Sequence, residues 1–294
     1  MKRKRSRILS FRVSNPNAVN RSACGTFAIF LILLIAAMFM ALPLVYIASN
    51  AFKPLDEIFA FPPKFFVRHP TIQNFIDLMN ILNSSWVPFT RYLFNTVFTT
   101  VVGTVGHVIC SSLCAFVLAK HDFPGKEFIF KIVVLSLMFS SAVTVVPNYI
   151  TMFQLDWIDT YNAVIVPAFQ MSLGLYLMKQ FMEGVPDVLM ESARVEGASE
   201  IIILVKIIMP CVKPAWLTLS ILSIQTLWNQ NSLYIYDESY KGLSQAMGQV
   251  AAGGIARTGA TSAVGLAMII VPIVVFLLSQ SQIIETMSSS GMKE

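Results

Sequence analysis

The sequence predicts an all-α integral membrane protein with six transmembrane helices. Of its 294 residues, 55% are hydrophobic and 13% are charged, whereas about a quarter of the residues in an average soluble domain are charged. A mean hydropathy of +0.67 indicates more apolar surface than one soluble core of this size could hide. This balance excludes an ordinary cytosolic enzyme and indicates that lipid surrounds most of the chain.

Six stretches without Asp, Glu, Lys or Arg are long enough to cross about 30 Å of hydrocarbon as helix, which takes roughly 20 residues. The shortest has 19 residues and the longest 31. In chain order the six runs are 22–52, 92–119, 132–155, 160–178, 214–236 and 258–284. The next longest run, 242–256, has 15 residues and four glycines, so we expect a loop there.

The basic residues predict which side of the membrane each loop occupies. Seven Lys and Arg residues and no acidic residue precede the first run. With the amino terminus inside, 15 of the 21 basic residues lie on the cytoplasmic side, as the positive-inside rule expects. Segment 1–24 is then a basic cytoplasmic arm and 285–294 a cytoplasmic tail. A nucleic-acid-binding arm is the rival interpretation, but a basic cluster directly before an uncharged run already has a topological role.

The six runs lack the ionisable groups that ion-coupled carriers usually keep at membrane depth. The runs contain no Asp, Glu, Lys or Arg, and His107 is their one histidine. This disfavours the alternative of an ion-coupled secondary sugar transporter. The sequence also lacks G-x-x-x-x-G-K-[ST], so it has no phosphate-binding loop of that type. We therefore expect the energy for any transport to come from another subunit.

Uncharged polar residues recur at helical spacing in two of the runs. In the fifth run they are Thr218, Gln225, Asn229 and Ser232, with Trp228 beside them, and in the third run they are Ser136, Ser140 and Thr144. Hydrogen bonding between membrane helices is the first interpretation. A solute path is the second, because an amide can hydrogen-bond to a neutral polar ligand such as a sugar and an indole can stack on it.

A second group of side chains suggests a soft-metal site in the second run. His107, Cys110 and Cys114 follow at i, i+3 and i+7, close to one helix face. Three residues on one helix cannot close a tetrahedral site, and free cysteine packs as a small hydrophobe. We expect packing and no metal, with a membrane-bound metal or haem enzyme as the alternative.

The segment between the fourth and fifth runs predicts a helix, a glycine turn and a second helix. Pro186 and Asp187 suit a helix start, Gly197 offers the break, and Ser199 can cap the helix that follows. The segment carries five acidic residues, namely Glu183, Asp187, Glu191, Glu196 and Glu200. Either a knob that docks on a basic partner or an amphipathic loop at the membrane surface fits this pattern.

These residues resemble a known family. Glu191-Ser192-Ala193, then Gly197, then Ile207 and Pro210 resemble the EAA loop of permeases of ATP-binding cassette (ABC) importers, whose pattern is E-A-A, G, I-x-L-P. Further resemblance is to carbohydrate-importer permeases similar to the second membrane subunit of maltose-type systems. It is carried by the stretches KPLDEIFAFPP, FPGK and LMKQF and by the pair Trp228-Asn229. The resemblance extends from about residue 25 to the end. Three departures are mild: Ser192 for Ala, Glu196 for Asp and Met209 for Leu.

The resemblance implies a type I ABC importer permease fold over 25–284, including a cytoplasmic EAA loop at 183–210, in a bacterial inner membrane. It implies a homologous permease as partner, a cytoplasmic ATPase dimer that binds ATP and Mg, and an extracytoplasmic sugar-binding protein. The chain itself would hold no cofactor or metal and catalyse no reaction. The implied coupling residues are Glu191, Ser192, Ala193, Glu196, Gly197 and Pro210. The implied sugar path contains Gln225, Trp228 and Asn229.

Overall fold

The computed structural model describes residues 23–83, 86–139, 141–254 and 257–290. All regular structure in these ranges is helical. The basic arm up to residue 22 and the last four residues of the tail lie outside them. The helices in chain order are α1 (Ala23–Ala51), α2 (Leu55–Ile58), α3 (Gln73–Asn83), α4 (Phe89–Lys120), α5 (Lys126–Ser136), α6 (Ser141–Gln154), α7 (Asn162–Ala168), α8 (Ser172–Glu183), α9 (Val188–Val195), α10 (Glu200–Ile203), α11 (Met209–Cys211), α12 (Lys213–Trp228), α13 (Leu243–Ala251) and α14 (Thr258–Ser290).

Within the described ranges, three helices, α1, α4 and α14, are long and apolar enough to cross a membrane. A fourth candidate is a bent pair, in which Glu200–Cys211 and Lys213–Trp228 meet at 84°. Pro214 lies in the first turn of α12, where proline can open a helix but not continue one from the preceding segment. The first, second and sixth runs therefore contain long spanning helices, and the fifth contains the second arm of the bent pair.

The third and fourth runs differ from this pattern because each is a pair of shorter helices. The third is divided between α5 and α6, and the fourth between α7 and α8. Pro167 lies in the last turn of α7 and removes one backbone donor there. Ser136 and Thr144 consequently do not share one helix, and Ser140 lies outside the described residues.

The run 242–256, where we expected a loop, contains the helix α13. This helix buries Leu243, Ala246, Met247 and Val250, at the i, i+3, i+4, i+7 spacing of an amphipathic helix. The glycines of the run flank this stripe or, in the case of Gly248, lie off it. The apolar spacing rather than the glycine content decides the structure here.

The chain divides into two units at Tyr46, and everything from Ile47 onward forms one compact unit. In that unit α4 is central and packs against α7, α8 and α12, while α14 packs against α12 and α3. Two apolar clusters lie at opposite ends of α4. One contains Ala115 and Phe116, and the other contains Tyr92 near the start of the helix.

Candidate functional site

The EAA loop (183–210) has the predicted helix, glycine turn and second helix. Helix α9 begins directly after Asp187, and Gly197 has a φ of +83°, a conformation that costs glycine least. The N–H of Gly197 donates to the carbonyl of Arg194 and the N–H of Ala198 to that of Ala193, both at 3.0 Å. These two bonds are a Schellman motif, so the predicted break at Gly197 is confirmed. Ser199 occupies the N-cap position of α10, but its side chain makes no capping hydrogen bond.

The inner face of the EAA loop is part of the protein's own core. Met190 and Ala193, three residues apart on α9, are buried with Ile203, Leu204 and Ile208 of the second helix. They pack in the cluster that also contains Met178 and Met182 of α8, Phe116 of α4, and Ala215 and Leu219 of α12. Ala193, one of the implied coupling residues, is therefore buried in the chain's own core and is not on the exposed face of the loop.

The outer face of the same loop combines exposed apolar and acidic side chains. Val188 and Val195 lie seven residues apart on one side of α9, and Val195 is 89% exposed. Ile201 and Val205 continue the apolar surface on the second helix. Four of the predicted coupling residues are exposed on the same part of the loop, namely Glu191, Ser192, Glu196 and Gly197. The face thus offers apolar contact area with negative charge around it.

Lys120, the last residue of α4, anchors the start of the loop. Its side chain is only 3% exposed, and its Nζ donates to the carbonyl of Val185 and, at 2.7 Å, to Oδ1 of Asp187. The hydrogen bond from Lys120 and its positive charge hold the pKa of Asp187 below its usual value. Sequence reasoning missed this contact because the two residues lie 67 positions apart.

A second ion pair bridges the glycine turn. The Arg194 guanidinium donates from Nε to Oε1 of Glu200 at 2.8 Å and from Nη2 to Oε2 at 3.2 Å. His121 Nε2 lies 3.5 Å from the same carboxylate. The hydrogen bond from Arg194 lowers the pKa of Glu200. The pair joins α9 to α10, so one of the five predicted acidic groups is already engaged within the loop.

Pro210 lies apart from the other predicted coupling residues, on the arm that leads to α12. A π-helical turn, Leu204–Ile208, comes directly before Met209. Proline has no N–H to donate to an earlier carbonyl, and π-turns often accompany such gaps in the helical ladder. Val212 then marks the bend into α12. The arm therefore leads into α12 and is separate from α9, which carries most of the other predicted coupling residues.

The predicted sugar-path residues do not share one surface. Trp228 is buried at the end of α12, Gln225 is half-buried, and Asn229 is exposed beyond the helix. The Asn229 amide donates to the carbonyl of Gln225 at 3.0 Å and so satisfies the helix end. Trp228 lines a cavity of about 310 Å³ with Thr100 and Thr104 of α4.

Five buried polar atoms on α4 and α12 have no hydrogen-bond partner among the described residues. They are Thr100 Oγ1, Thr104 Oγ1, His107 Nδ1, Ser223 Oγ and Trp228 Nε1. Other hydroxyls of the same helices do bond to their own backbone, as Ser112 does to Val108 and Ser220 to Trp216. Trp228 was predicted from sequence, whereas Thr100, Thr104 and Ser223 were missed, although Thr100 and Thr104 share one face of α4.

The group that suggested a metal site is not assembled as one. His107 Nε2 lies 3.2 Å from the carbonyl of Met171, so a backbone group already faces that nitrogen. Cys114 is exposed while Cys110 is half-buried. Within the described ranges, no three His, Cys, Asp or Glu side chains come together as metal ligands. The geometry gives the metal-enzyme alternative no support.

At the opposite end of α4, hydrogen bonds hold the loop 229–242. The buried Asn95 amide donates to the carbonyls of Ser239 and Lys241, both at 2.9 Å. Its oxygen accepts from the Tyr161 hydroxyl at 2.7 Å. Asp159 accepts from the N–H of Asp237 at 2.8 Å. This end carries a polar network whose members bond to one another.

Comparison with known proteins yields curated relatives of one kind, although no family model matches the chain. Protein LplC of Bacillus subtilis is 30% identical over 217 residues, which cover 71% of this chain and 70% of the relative. The polygalacturonan/rhamnogalacturonan transport system permease protein YtcP of the same organism is 29% identical over 197 residues. That match spans 67% of this chain and 66% of the relative's length.

A solved structure has the same fold. The crystal structure of a bacterial ABC transporter involved in the import of the acidic polysaccharide alginate matches with a TM-score of 0.76. The match covers 89% of this chain and 98% of the other at 21% identity. The predicted fold is thereby confirmed, and the comparisons give the ion-coupled alternative no support.

Proposed function

The chain belongs to the permease family of ABC sugar transport systems, and from that premise we propose that it carries part of the membrane path for an imported oligosaccharide. It is a membrane subunit and not the enzyme of the system. In this proposal ATP and Mg are bound by a cytoplasmic ATPase dimer, a homologous permease completes the path, and an extracytoplasmic protein delivers the sugar.

The outer face of the EAA loop is the observation that carries the proposal. A helix that buries Met190 and Ala193 on one side and exposes Val188 and Val195 on the other presents a ready surface to a groove in another protein. The exposed Glu191 and Glu196 would add attraction to basic groups at its rim. We assign this face to the ATPase dimer, with both termini on the same, cytoplasmic side.

The packing of the loop supports a mechanical transmission. The inner side chains of α9 share one cluster with α4, α8 and α12, and well-packed interiors transmit displacement rather than absorb it. Closure of the ATPase dimer on ATP would therefore shift these membrane helices together. The dimer must favour one permease state over the other, because a ligand with equal affinity for both shifts no equilibrium.

The sugar class follows from the family and from uncharged polar groups on α12. The relative YtcP is described as a permease protein of a polygalacturonan/rhamnogalacturonan transport system, and the structural neighbour is an ABC transporter involved in the import of alginate. Gln225 and Asn229 lie near the end of α12, and the indole N–H of Trp228 is buried and unpaired in the described structure. We propose that these residues lie along the path of a neutral or acidic oligosaccharide.

The experiment is co-purification followed by an ATPase assay. The chain is expressed with the products of its neighbouring genes, isolated, and reconstituted in proteoliposomes, and ATP hydrolysis is measured with a panel of plant and algal oligosaccharides. We expect an ATPase to accompany the chain and one oligosaccharide class, with its binding protein, to stimulate hydrolysis. Isolation of a chain that drives sugar uptake with an ion gradient and no ATPase would overturn the proposal.

A substitution on the outer face tests the assigned surface. Val195→Asp places a charge at the most exposed of the four apolar side chains of this face and should abolish ATPase co-purification, while the chain still inserts in the membrane. Leu233→Asp is the matched control, since Leu233 is also an exposed apolar residue but lies in the loop 229–242. Equal loss of the ATPase in both variants, or in neither, would argue against this face.

A further inference from the structure

The segment between α1 and α3, residues 53–71, is a closed loop that we call the aromatic loop. The N–H of Thr71 donates to the carbonyl of Phe52 at 2.8 Å and joins its two ends. Asn74, which is buried, donates from its amide to the carbonyls of Ala51 at 2.9 Å and Lys53 at 2.7 Å. The base of the loop is therefore fixed to the last turn of α1.

Two buried charged groups hold the inside of the aromatic loop. The Lys53 ammonium donates to Asn50 Oδ1 at 2.8 Å and to the carbonyl of Lys64. The Glu57 carboxylate accepts the N–H of Arg68 at 3.0 and 3.2 Å. Both side chains are at most 7% exposed. Because both buried charged groups have hydrogen-bond partners, the loop has a defined conformation that holds its tip in place.

The tip of this loop presents aromatic rings outward. Phe61 is 95% exposed and Phe66 70% exposed. Trp86, three residues before α4 begins, is fully exposed as well. A fixed loop that leaves large apolar rings uncovered indicates an interaction surface.

The charge of the tip is positive. Residues 59–70 contain Lys64, Arg68 and His69 and no acidic residue. The carboxylate nearest to it in sequence, Glu57, is buried and bonded to backbone. Neither the Lys64 nor the Arg68 side chain forms an ion pair within the part of the chain that the structure describes. The surface is suited to a partner that presents both apolar groups and negative charge.

Chain continuity places this surface at the boundary of the membrane. The aromatic loop follows the last residue of α1, Ala51, and Trp86 precedes the first residue of α4, Phe89. Both helices are long and apolar enough to span. Aromatic and basic side chains are the groups enriched where a protein meets lipid headgroups.

We propose that the aromatic loop binds the surface of the bilayer, with Phe61 and Phe66 in the boundary between headgroups and acyl chains. Lys64 and Arg68 then pair with anionic phospholipid headgroups. The loop would thus be a lipid-binding surface outside the spanning helices, and it would fix the position of α1 and α3 relative to the bilayer. This inference is independent of the ATPase and of the sugar.

The test measures the depth of the tip in a bilayer. The full-length chain, with Cys24, Cys110, Cys114 and Cys211 replaced by serine, carries a fluorophore at Phe61→Cys and is placed in nanodiscs of phosphatidylcholine with or without phosphatidylglycerol. Quenching by spin-labelled lipid is compared with quenching by aqueous iodide. Asp56→Cys is the matched control, because Asp56 lies in the same loop and is exposed and acidic.

We expect lipid to quench the fluorophore at position 61 several-fold more strongly than iodide does, and the opposite order at position 56. Phosphatidylglycerol should increase the lipid quenching at position 61, and the double substitution Lys64→Ser and Arg68→Ser should remove that increase. Iodide quenching at position 61 with no response to spin-labelled lipid would overturn the inference. So would shielding from iodide that arises only on addition of the partner subunits or of a binding protein.

Discussion

The two ends of α4 are stabilised in different ways. At the EAA-loop end, the inner face of the loop packs through apolar side chains such as Met190 and Ile203, Lys120 bonds the start of the loop, and the outer face is exposed. At the other end, beside the apolar cluster that contains Tyr92, the buried Asn95 amide makes two hydrogen bonds to the loop 229–242 and one with Tyr161, the residue before α7. Apolar packing is not directional, whereas hydrogen bonds specify one geometry.

This difference indicates a division of labour along one helix. In the proposed function, the EAA-loop end would shift as a packed unit when its outer face binds the ATPase. The opposite end is fixed, so movement there requires several hydrogen bonds to break together. A permease that is driven from one side needs a movable contact at that side and a stable frame elsewhere.

The largest effect is expected from Gly197→Pro. Proline fixes φ near −65°, whereas Gly197 has a φ of +83° and its N–H donates to Arg194. The Schellman motif should be lost at a cost of about 3 kcal/mol or more, and both ATPase co-purification and sugar uptake should fall to background. Membrane insertion should be unchanged.

The control for that substitution is Gly248→Ala. Gly248 lies within α13, and a Cβ there meets no atom within 4 Å, so the change should leave transport intact. Normal sugar uptake by Gly197→Pro would contradict the assignment of the EAA loop as the coupling element.

Asn95→Leu should have the next largest effect, and only at the opposite end. The substitution leaves the carbonyls of Ser239 and Lys241 and the Tyr161 hydroxyl without their partner, at a cost on the order of 3 kcal/mol. We expect a lower unfolding temperature in detergent and faster protease cleavage between residues 229 and 242. Binding of the ATPase should persist.

Asn229→Leu provides the comparison for Asn95→Leu, since Asn229 is exposed and its amide makes one local bond to Gln225. It should change the unfolding temperature little. If both variants unfold alike, the polar network at this end does not provide the stability assigned to it.

Acid should loosen the EAA loop by a smaller amount. The pKa of Asp187 and that of Glu200 are lowered in the folded chain by hydrogen bonds from Lys120 and Arg194. A carboxylate with a lowered folded pKa contributes stability above its unfolded pKa, and that contribution is lost as the pH falls through the folded value. Amide hydrogen exchange in residues 185–200 should therefore accelerate, after correction for the intrinsic rate, as the pH falls below the ordinary range of these acids.

The double substitution Asp187→Asn and Glu200→Gln should remove this pH dependence. Exchange in α12 serves as the internal reference, because its bounds contain no carboxylate. An unchanged pH dependence in the double variant would assign the effect to other groups.

The smallest effect is expected from Ser223→Ala. The Ser223 hydroxyl is buried without a partner in the described structure, so its removal should be neutral or stabilising by up to about 1 kcal/mol. Ser220→Ala removes a hydroxyl that bonds to the carbonyl of Trp216 and should be slightly destabilising. The unfolding temperatures of the two purified variants give the comparison, and destabilisation by Ser223→Ala would show that this hydroxyl has a partner such as bound water.

Local patterns predicted the elements that depend on local physics. The uncharged runs identified α1, α4 and α14, and Gly197 marked the break after α9, because helix length and a positive φ are properties of neighbouring residues. The same runs did not reveal the breaks between α5 and α6 or between α7 and α8. Absence of charge measures compatibility with lipid and not continuity of a helix.

Only part of the candidate site was predicted, because the rest depends on contacts between residues that are distant in sequence. The EAA pattern located the loop but did not indicate that Ala193 faces inward, which the spacing of Met190 and Ala193 against Val188 and Val195 could have shown. Lys120 contacts Asp187 across 67 positions, and Thr104 and Trp228, which line one cavity, lie on different helices. Such contacts depend on tertiary packing and leave no local signal.

The central claim, that the outer face of the EAA loop binds a cytoplasmic ATPase, is tested most directly by photocrosslinking in native membranes. A photoreactive amino acid replaces Val195, which is 89% exposed, and the crosslinked product is identified by mass spectrometry. The account predicts an ATPase subunit as the product, with a yield that changes when ATP is added. A product containing only lipid or an extracytoplasmic protein would contradict it.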